Sequence, residues 1–278
     1  MAQPTSQPGS LASADTMSTD NLQYHLKTRP GDVPPYVLMC GSPQRAEMIA
    51  KTFLDSATTI GQPGYRGMTH WRGTRDGIDI GVITHLMGPS QVAIVLPETW
   101  KSGGRYFLRI GSCGALPEDI ALGDSIICQQ AWRFDGASDC WGYDDPLVQC
   151  SPEVVQAMKA AALELGHPYH IGTEATTSDF YEGQGRPPIG GTEDDIPQAM
   201  KKRHKRMMAG AADCYSMECA TLSTWCRTHG EGLLHGAVNA VFANRATDKA
   251  DESGPGQREA AEIAVLAMMK LHERFPLV

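Results

Sequence analysis

A single α/β domain is predicted for this 278-residue chain, and three features of the sequence predict it. Short apolar runs alternate with helix-length segments from about residue 21 to the end, the pattern of strands covered by helices. No internal repeat and no linker of domain-boundary character interrupts residues 25–278. The polar residues of interest gather just after the apolar runs, where open α/β sheets bind ligands. Residues 1–20, rich in Pro, Ser, Thr and Gln with no apolar period, read as a flexible tail ahead of a domain at 21–278.

Order is expected from Gln23-Tyr-His-Leu26. Tyr36 to Cys40 is a strand ending in Gly41-Ser-Pro-Gln-Arg45, and Ala46 to Phe53 is a helix. Gly64-Tyr-Arg-Gly67 is a turn, and Trp71 to Thr84 a hairpin through Asp76-Gly77. Gly88-Pro-Ser90 opens an apolar helix towards Trp100, which Pro97 should kink or shorten. Tyr106 to Ile110 is a buried strand that stops at the small, glycine-flanked turn Gly111-Ser-Cys-Gly114. After Gly123-Asp124 comes a strand from Ser125 to Gln130, then an irregular stretch to Cys150. Ser151-Pro-Glu153 starts a helix that Gly166 stops. His170 to Thr177 is a strand leading into Ser178-Asp-Phe-Tyr-Glu-Gly-Gln-Gly-Arg186 and a long loop with Pro187, Pro188, Gly190 and Gly191. The basic run Lys201 to Arg206 reads as a solvated helix face. Ser216-Met-Glu-Cys-Ala220 begins a helix to about His229, His235 to Ala243 is a strand ending at Asn244-Arg245, and Gly256 to Glu273 is a terminal amphipathic helix.

The net charge of -8 argues against nucleic acid or an anionic membrane as the main partner, so an anion must be held by a local cluster of arginines. Eight scattered cysteines with no C-x-x-C pair point to a reduced, cytoplasmic protein, and no apolar run reaches membrane-spanning length. Arg109 lies inside an apolar run, where its charge needs an anion or carboxylate partner. Beside it, the amides of Gly111 and Gly114 and the Ser112 hydroxyl can approach a ligand closely, a way to hold phosphate. An internal salt bridge under a tight turn is the equal alternative on this stretch alone. Arg45 is brought to a second loop of the same kind, and two such loops could face one anion.

Together these residues resemble the nucleoside phosphorylase superfamily, and within it the uridine phosphorylases, over nearly the whole chain from Tyr24 onward. Gly41-Ser-Pro-Gln-Arg45 is similar to that family's Gly-Asp-Pro-x-Arg phosphate loop, and Phe107-Leu-Arg-Ile-Gly-Ser-Cys-Gly114 to its Arg-Ile-Gly-Thr-x-Gly loop. Asp135-Gly-Ala-Ser138 falls where expected, and Met217-Glu218 before Ala220-Thr-Leu222 resembles its ribose-binding helix start. Asp179-Phe-Tyr-Glu-Gly-Gln-Gly-Arg186 is the most specific segment. Its Gln-x-Arg pair, with Asn244-Arg245 in place of a purine enzyme's aspartate, leans towards a pyrimidine base.

The resemblance implies an α/β/α sandwich around a mixed, partly barrel-like sheet, and reversible phosphorolysis of uridine to uracil and ribose 1-phosphate, with deoxyuridine and thymidine as further candidates. Phosphate is a co-substrate, and neither a cofactor nor a metal is implied. It assigns Gly41, Arg45, Arg109 and Ser112 to phosphate, joined by Arg66 of a neighbouring subunit; Met217 and Glu218 to ribose, joined by the neighbour's His25; and Phe180, Gln184, Arg186 and Arg245 to the base. Arg109, Arg186 and Glu218 are the implied catalytic set. The family forms homodimers and hexamers built of them, with shared active sites. Taken singly, these residues have plainer readings: a first-turn carboxylate for Glu218, packing for Phe180 and Met217, solvation for Gln184 and Arg186, a surface position for His25. His70, His85, His170 and the cysteines have no metal-ligand spacing and receive no chemistry.

Three positions depart from the family pattern. Ser216 stands for the first glutamate of Glu-Met-Glu; Gly67 replaces the glutamate that ligates a monovalent cation in bacterial relatives, so no potassium site is expected; and His85-Leu-Met-Gly-Pro-Ser90 replaces a glycine-rich loop. A nucleosidase, a phosphorylase of another nucleoside and a catalytically silent nucleoside-binding subunit stay open as alternatives.

Overall fold

The computed structural model describes residues 20–277, so the tail expected at 1–20 lies, apart from Asp20, outside the described residues. In chain order the elements are β1 (Tyr36–Cys40), α1 (Pro43–Phe53), β2 (Asp55–Ile60), β3 (His70–Arg75), β4 (Ile78–Thr84), α2 (Pro89–Lys101), β5 (Tyr106–Ala115) and β6 (Ser125–Phe134). There follow β7 (Leu147–Gln149), α3 (Pro152–Leu165), β8 (Tyr169–Thr177), α4 (Gln198–Arg206), β9 (Cys214–Ser216), α5 (Cys219–His229), β10 (Leu234–Asn244), β11 (Lys249–Ala250) and α6 (Gln257–Arg274).

All strands join one mixed sheet. Five of them close on themselves: β10 pairs with both β5 and β6, β6 with β8, and β9 splices β8 to the far end of β5. From β5 the sheet continues outward through β1, β4, β3 and β2. The pleat sends alternate residues of β1 to opposite cores. Tyr36, Leu38 and Cys40 pack with Ile49 of α1, Val154 of α3 and Ile263 of α6, while Val37 and Met39 pack with Val92 of α2 and Leu222 of α5. Helices therefore cover both faces, giving the single α/β/α domain with a barrel-like centre.

Several boundaries differ from those the sequence suggests. β5 does not stop at Ile110 but runs through Gly111-Ser-Cys-Gly114 to Ala115, because β10 on one side and β9 on the other supply its ladder partners. β6 likewise continues to Phe134, paired along its length with β8. Ser216 is a strand residue of β9, and α5 begins only at Cys219. α2 is not shortened by Pro97; Val92, Val95, Leu96 and Thr99 keep one buried face across it, and packing outweighs the missing amide. β2, β7, β9 and β11 carry too little apolar alternation to announce themselves, whereas Gly166 closes α3 in the left-handed region, φ 69°, as expected.

Candidate active site

The loops after β1, β4 and β8 converge with strand β5 and the start of α5 on one cleft of about 540 Å³. At its base, Ser42 caps α1 by accepting from the Arg45 amide at 3.2 Å, which fixes where Arg45 leaves the helix. The Arg45 guanidinium is buried, donates to the Ile110 carbonyl at 3.2 Å and lies over the Phe242 ring. Burial lowers its pKa from the ordinary arginine value. Phe242 reaches the cleft because it is the extra residue of a bulge in β10, where the register with β5 shifts between Val241 and Ala243. Gly41 is required here: a Cβ would stand 2.8 Å from the Leu86 carbonyl oxygen.

Arg109 is 4% exposed and sits at the centre. Its Nη1 donates to Asn239 Oδ1 at 2.7 Å and its Nη2 to Glu218 Oε2, while its Nε has no partner among the described residues. Burial alone would lower its pKa, but the Glu218 and Glu174 carboxylates outweigh it and raise the value. Arg109 is thus salt-bridged internally and also lines the cleft with Ser112 and Gly114. Glu218 is not a solvated first-turn carboxylate. Its backbone occupies the N-cap of α5 with no capping bond from its side chain, whose Oε1 instead accepts the Gly88 amide at 2.8 Å at the N-cap of α2. Met217 lines the wall beside it.

Across the cleft stand Phe180, Gln184 and Arg186. Arg186 Nη1 donates to Gln184 Oε1 at 2.5 Å and to the Phe180 carbonyl at 2.7 Å, and its guanidinium lies 4.3 Å from the Phe180 ring centre. The other end of the buried Gln184 carboxamide donates to Thr177 at 3.2 Å. Burial and the nearby Arg245 bring the Arg186 pKa down to about 10, which leaves it charged at neutral pH. Arg245 is set behind the wall, donating to the Gln184 carbonyl at 3.1 Å and lying over the Tyr215 ring. The basic run on α4 is only partly solvated, a correction to the sequence reading. Arg203 donates to the Gly183 carbonyl and lies over Phe134, and His204 stacks on Tyr215 against Gly185, so α4 clasps this loop from outside.

Nine of the residues singled out from the sequence therefore meet in one cleft: Gly41, Arg45, Arg109, Ser112, Phe180, Gln184, Arg186, Met217 and Glu218. His25 and Arg66 do not. They share a separate surface around Tyr24, whose ring lies 4.8 Å from that of His25 and 5.6 Å from the Arg66 guanidinium. His25 Nδ1 is bound to Glu98 at 2.7 Å, and Arg66 is exposed in a left-handed conformation, φ 52°. Sequence reasoning missed Gly88, Tyr215, Asn239 and Glu174. The last two carry a signal, a carboxamide and a carboxylate in the middle of buried strands. Nor did the scatter of the cysteines reveal that Cys128, Glu174 and Cys219 form a buried cluster with donor atoms within 4.8 Å of one another.

A buried arginine corner, a carboxylate bonded to the start of α2 and an aromatic wall carrying a carboxamide and a guanidinium thus line one cleft. The chain belongs to the phosphorylase superfamily, whose model matches residues 35–275. It is 35% identical to a uridine phosphorylase of Thermococcus kodakarensis over 95% of this chain and 92% of that one. It is 29% identical to a uridine phosphorylase of Escherichia coli over 89% and 97%. A DeoD-type purine nucleoside phosphorylase of Colwellia psychrerythraea is 32% identical over 58% of this chain and 68% of its own length.

Proposed function

We propose that this protein is a uridine phosphorylase, a pentosyltransferase that converts uridine and phosphate reversibly to uracil and ribose 1-phosphate. The observation that carries the reading is the pairing, in one cleft, of Gln184 and Arg186 with the Arg45, Arg109 and Ser112 corner across Glu218. Phosphate would bind at that corner, where arginine offers a fork of donors that cannot lose its charge at neutral pH. Glu218 would accept from ribose hydroxyls while Met217 packs on the sugar. Gln184 offers both an acceptor and a donor to the uracil edge, with Phe180 against the ring face.

A phosphate oxygen then attacks the anomeric carbon as the C1′–N1 bond breaks, and the bonding pair leaves with uracil. The substrate supplies the nucleophile, so this chemistry calls for no enzyme nucleophile, metal or organic cofactor. Arg186, backed by Arg245, stabilises the charge on the departing base. The reading also assigns Arg66 and His25 to a neighbour's active site in a homodimer or larger assembly. Tyr24, His25 and Arg66 form one surface patch, and His25, held through Nδ1, keeps Nε2 for a partner's 5′-hydroxyl. Among the described residues no helix is long and apolar enough to cross a membrane. The scattered, unpaired cysteines support a cytoplasmic location.

The test is the absorbance change as uridine becomes uracil, with and without phosphate, run beside inosine and thymidine. Phosphate-dependent turnover of uridine that falls about 100- to 1000-fold in Arg186→Ala is expected. Turnover of inosine but not of uridine would overturn the assignment.

A further inference from the structure

Arg109 is held from behind by residues that never touch the cleft. Asn239 accepts from Arg109 Nη1 through Oδ1 at 2.7 Å and donates through Nδ2 to Glu174 Oε2 at 2.8 Å. Asn239 and Glu174 are both fully buried. Glu174 Oε2 also lies 3.6 Å from the Cys128 thiol, and its Oε1 accepts the Thr176 hydroxyl at 2.6 Å and the Cys219 amide at 3.1 Å. Cys219 is the residue after Glu218, at the first turn of α5. One carboxylate is thus tied through Asn239 to the arginine of the anion corner and through Cys219 to the backbone that carries Glu218.

We propose that Glu174 and Asn239 are positioning residues that fix the Arg109 guanidinium and set its spacing from Glu218, and so the spacing of the phosphate and ribose stations. The chemistry demands these residue types. Only an ionised carboxylate can accept on both oxygens from the four donors around Glu174, and only a carboxamide at 239 can accept from a guanidinium while donating to a carboxylate. Glu174 is also the second anion in reach of Arg109, which keeps the guanidinium charge compensated on the side away from the cleft. An arginine with several rotatable bonds is thereby reduced to one orientation before any ligand arrives.

The inference rests on the proposed phosphorolysis, and the following measurements separate the two. Calorimetry of the wild-type protein with inorganic phosphate alone, and its turnover of uridine, come first; if both fail, the proposed function falls and this inference with it. In Asn239→Ala the phosphate KM should rise about tenfold or more while the uridine KM stays at its wild-type value. In the isosteric Glu174→Gln, whose amide nitrogen must face donors on one side, both KM values should rise. The double variant should be no worse for phosphate than the poorer single variant, because both act through one arginine. Circular dichroism establishes that each variant is folded. A folded Asn239→Ala or Glu174→Gln protein with wild-type phosphate affinity, or additive phosphate defects in the double variant, would overturn the inference while leaving the proposed function in place.

Discussion

Adding one methyl group at residue 111 tests how tightly the anion corner is built. A Cβ on Gly111 would lie 2.0 Å from Arg109 Nη1 and 2.1 Å from Asn239 Oδ1, where ordinary contact begins near 3.4 Å. Both side chains must therefore retreat, by about 1.4 Å for Arg109 and about 1.3 Å for Asn239. Neither can do so freely, since Arg109 Nη2 is bound to Glu218 and Asn239 Nδ2 to Glu174. The 2.7 Å bond between them is the contact that must give way. Losing a buried hydrogen bond to a charged group costs about 1.5–3 kcal/mol of stability. If Arg109 orients phosphate as proposed, a displacement of this size costs on the order of 100-fold in turnover per unit phosphate. Urea unfolding reads the first effect, and phosphate titration at saturating uridine reads the second. A Gly111→Ala protein with an unchanged unfolding midpoint and wild-type kcat/KM for phosphate would refute the claim that glycine is there to make room for the guanidinium.

Two further outcomes are expected. Burial lowers the pKa of His70 and His85 to about 4 and of His235 to about 3, against an ordinary value of 6.5. Below pH 6.5 the unfolded chain takes up protons that the folded chain refuses, so stability is fully present above about 6.5 and is lost as the pH falls towards 4. Each group contributes on the order of 3 kcal/mol across that window. The urea midpoint should fall steadily from pH 7 to pH 5, and a flat profile would contradict the buried, neutral state of these rings. Arg203→Ala should loosen the segment carrying Gln184 and Arg186, raising the uridine KM roughly fivefold, about 1 kcal/mol, while the phosphate KM stays put. Equal effects on both substrates would rule out a clasp specific to the base side.

The alternation of strands and helices was legible because most elements have their own apolar period and their own stop, as Gly166 shows for α3. The site residues were legible where one loop carries several of them, as in residues 179–186. What stayed hidden depends on pairing between distant segments. Gly111 to Gly114 reads as a turn in one dimension and is a strand in three, because β10 pairs along all of it and β9, only three residues long and placed by β8, joins at Gly114. Ser216 belongs to that strand for the same reason, and its hydroxyl is buried without a partner among the described residues. Asn239 and Glu174 sit 65 residues apart and find their roles only when β10 and β8 join the same ring.

The charge of the chain and the charge of the cleft point in opposite directions, and the fold reconciles them. With a net charge of -8 the protein as a whole repels phosphate, but charges beyond about 8 Å are largely screened at physiological salt. What an entering anion meets is Arg45, Arg109 and Arg186 against the single cleft carboxylate Glu218. That carboxylate could be expected to spoil the corner by pairing with Arg109. Two features limit the damage. The Gly88 amide shares its charge, and Arg109 Nε has no partner among the described residues, a donor that the proposed phosphate could use. A buried guanidinium left without any partner would be costly to maintain, whereas one already paired and oriented has met that cost during folding. In the proposed reaction phosphate would need only to dock against donors whose direction is set. The same pair places Glu218 where positive charge develops on the sugar in the proposed reaction, so one ion pair serves the nucleophile on one side and the electrophile on the other.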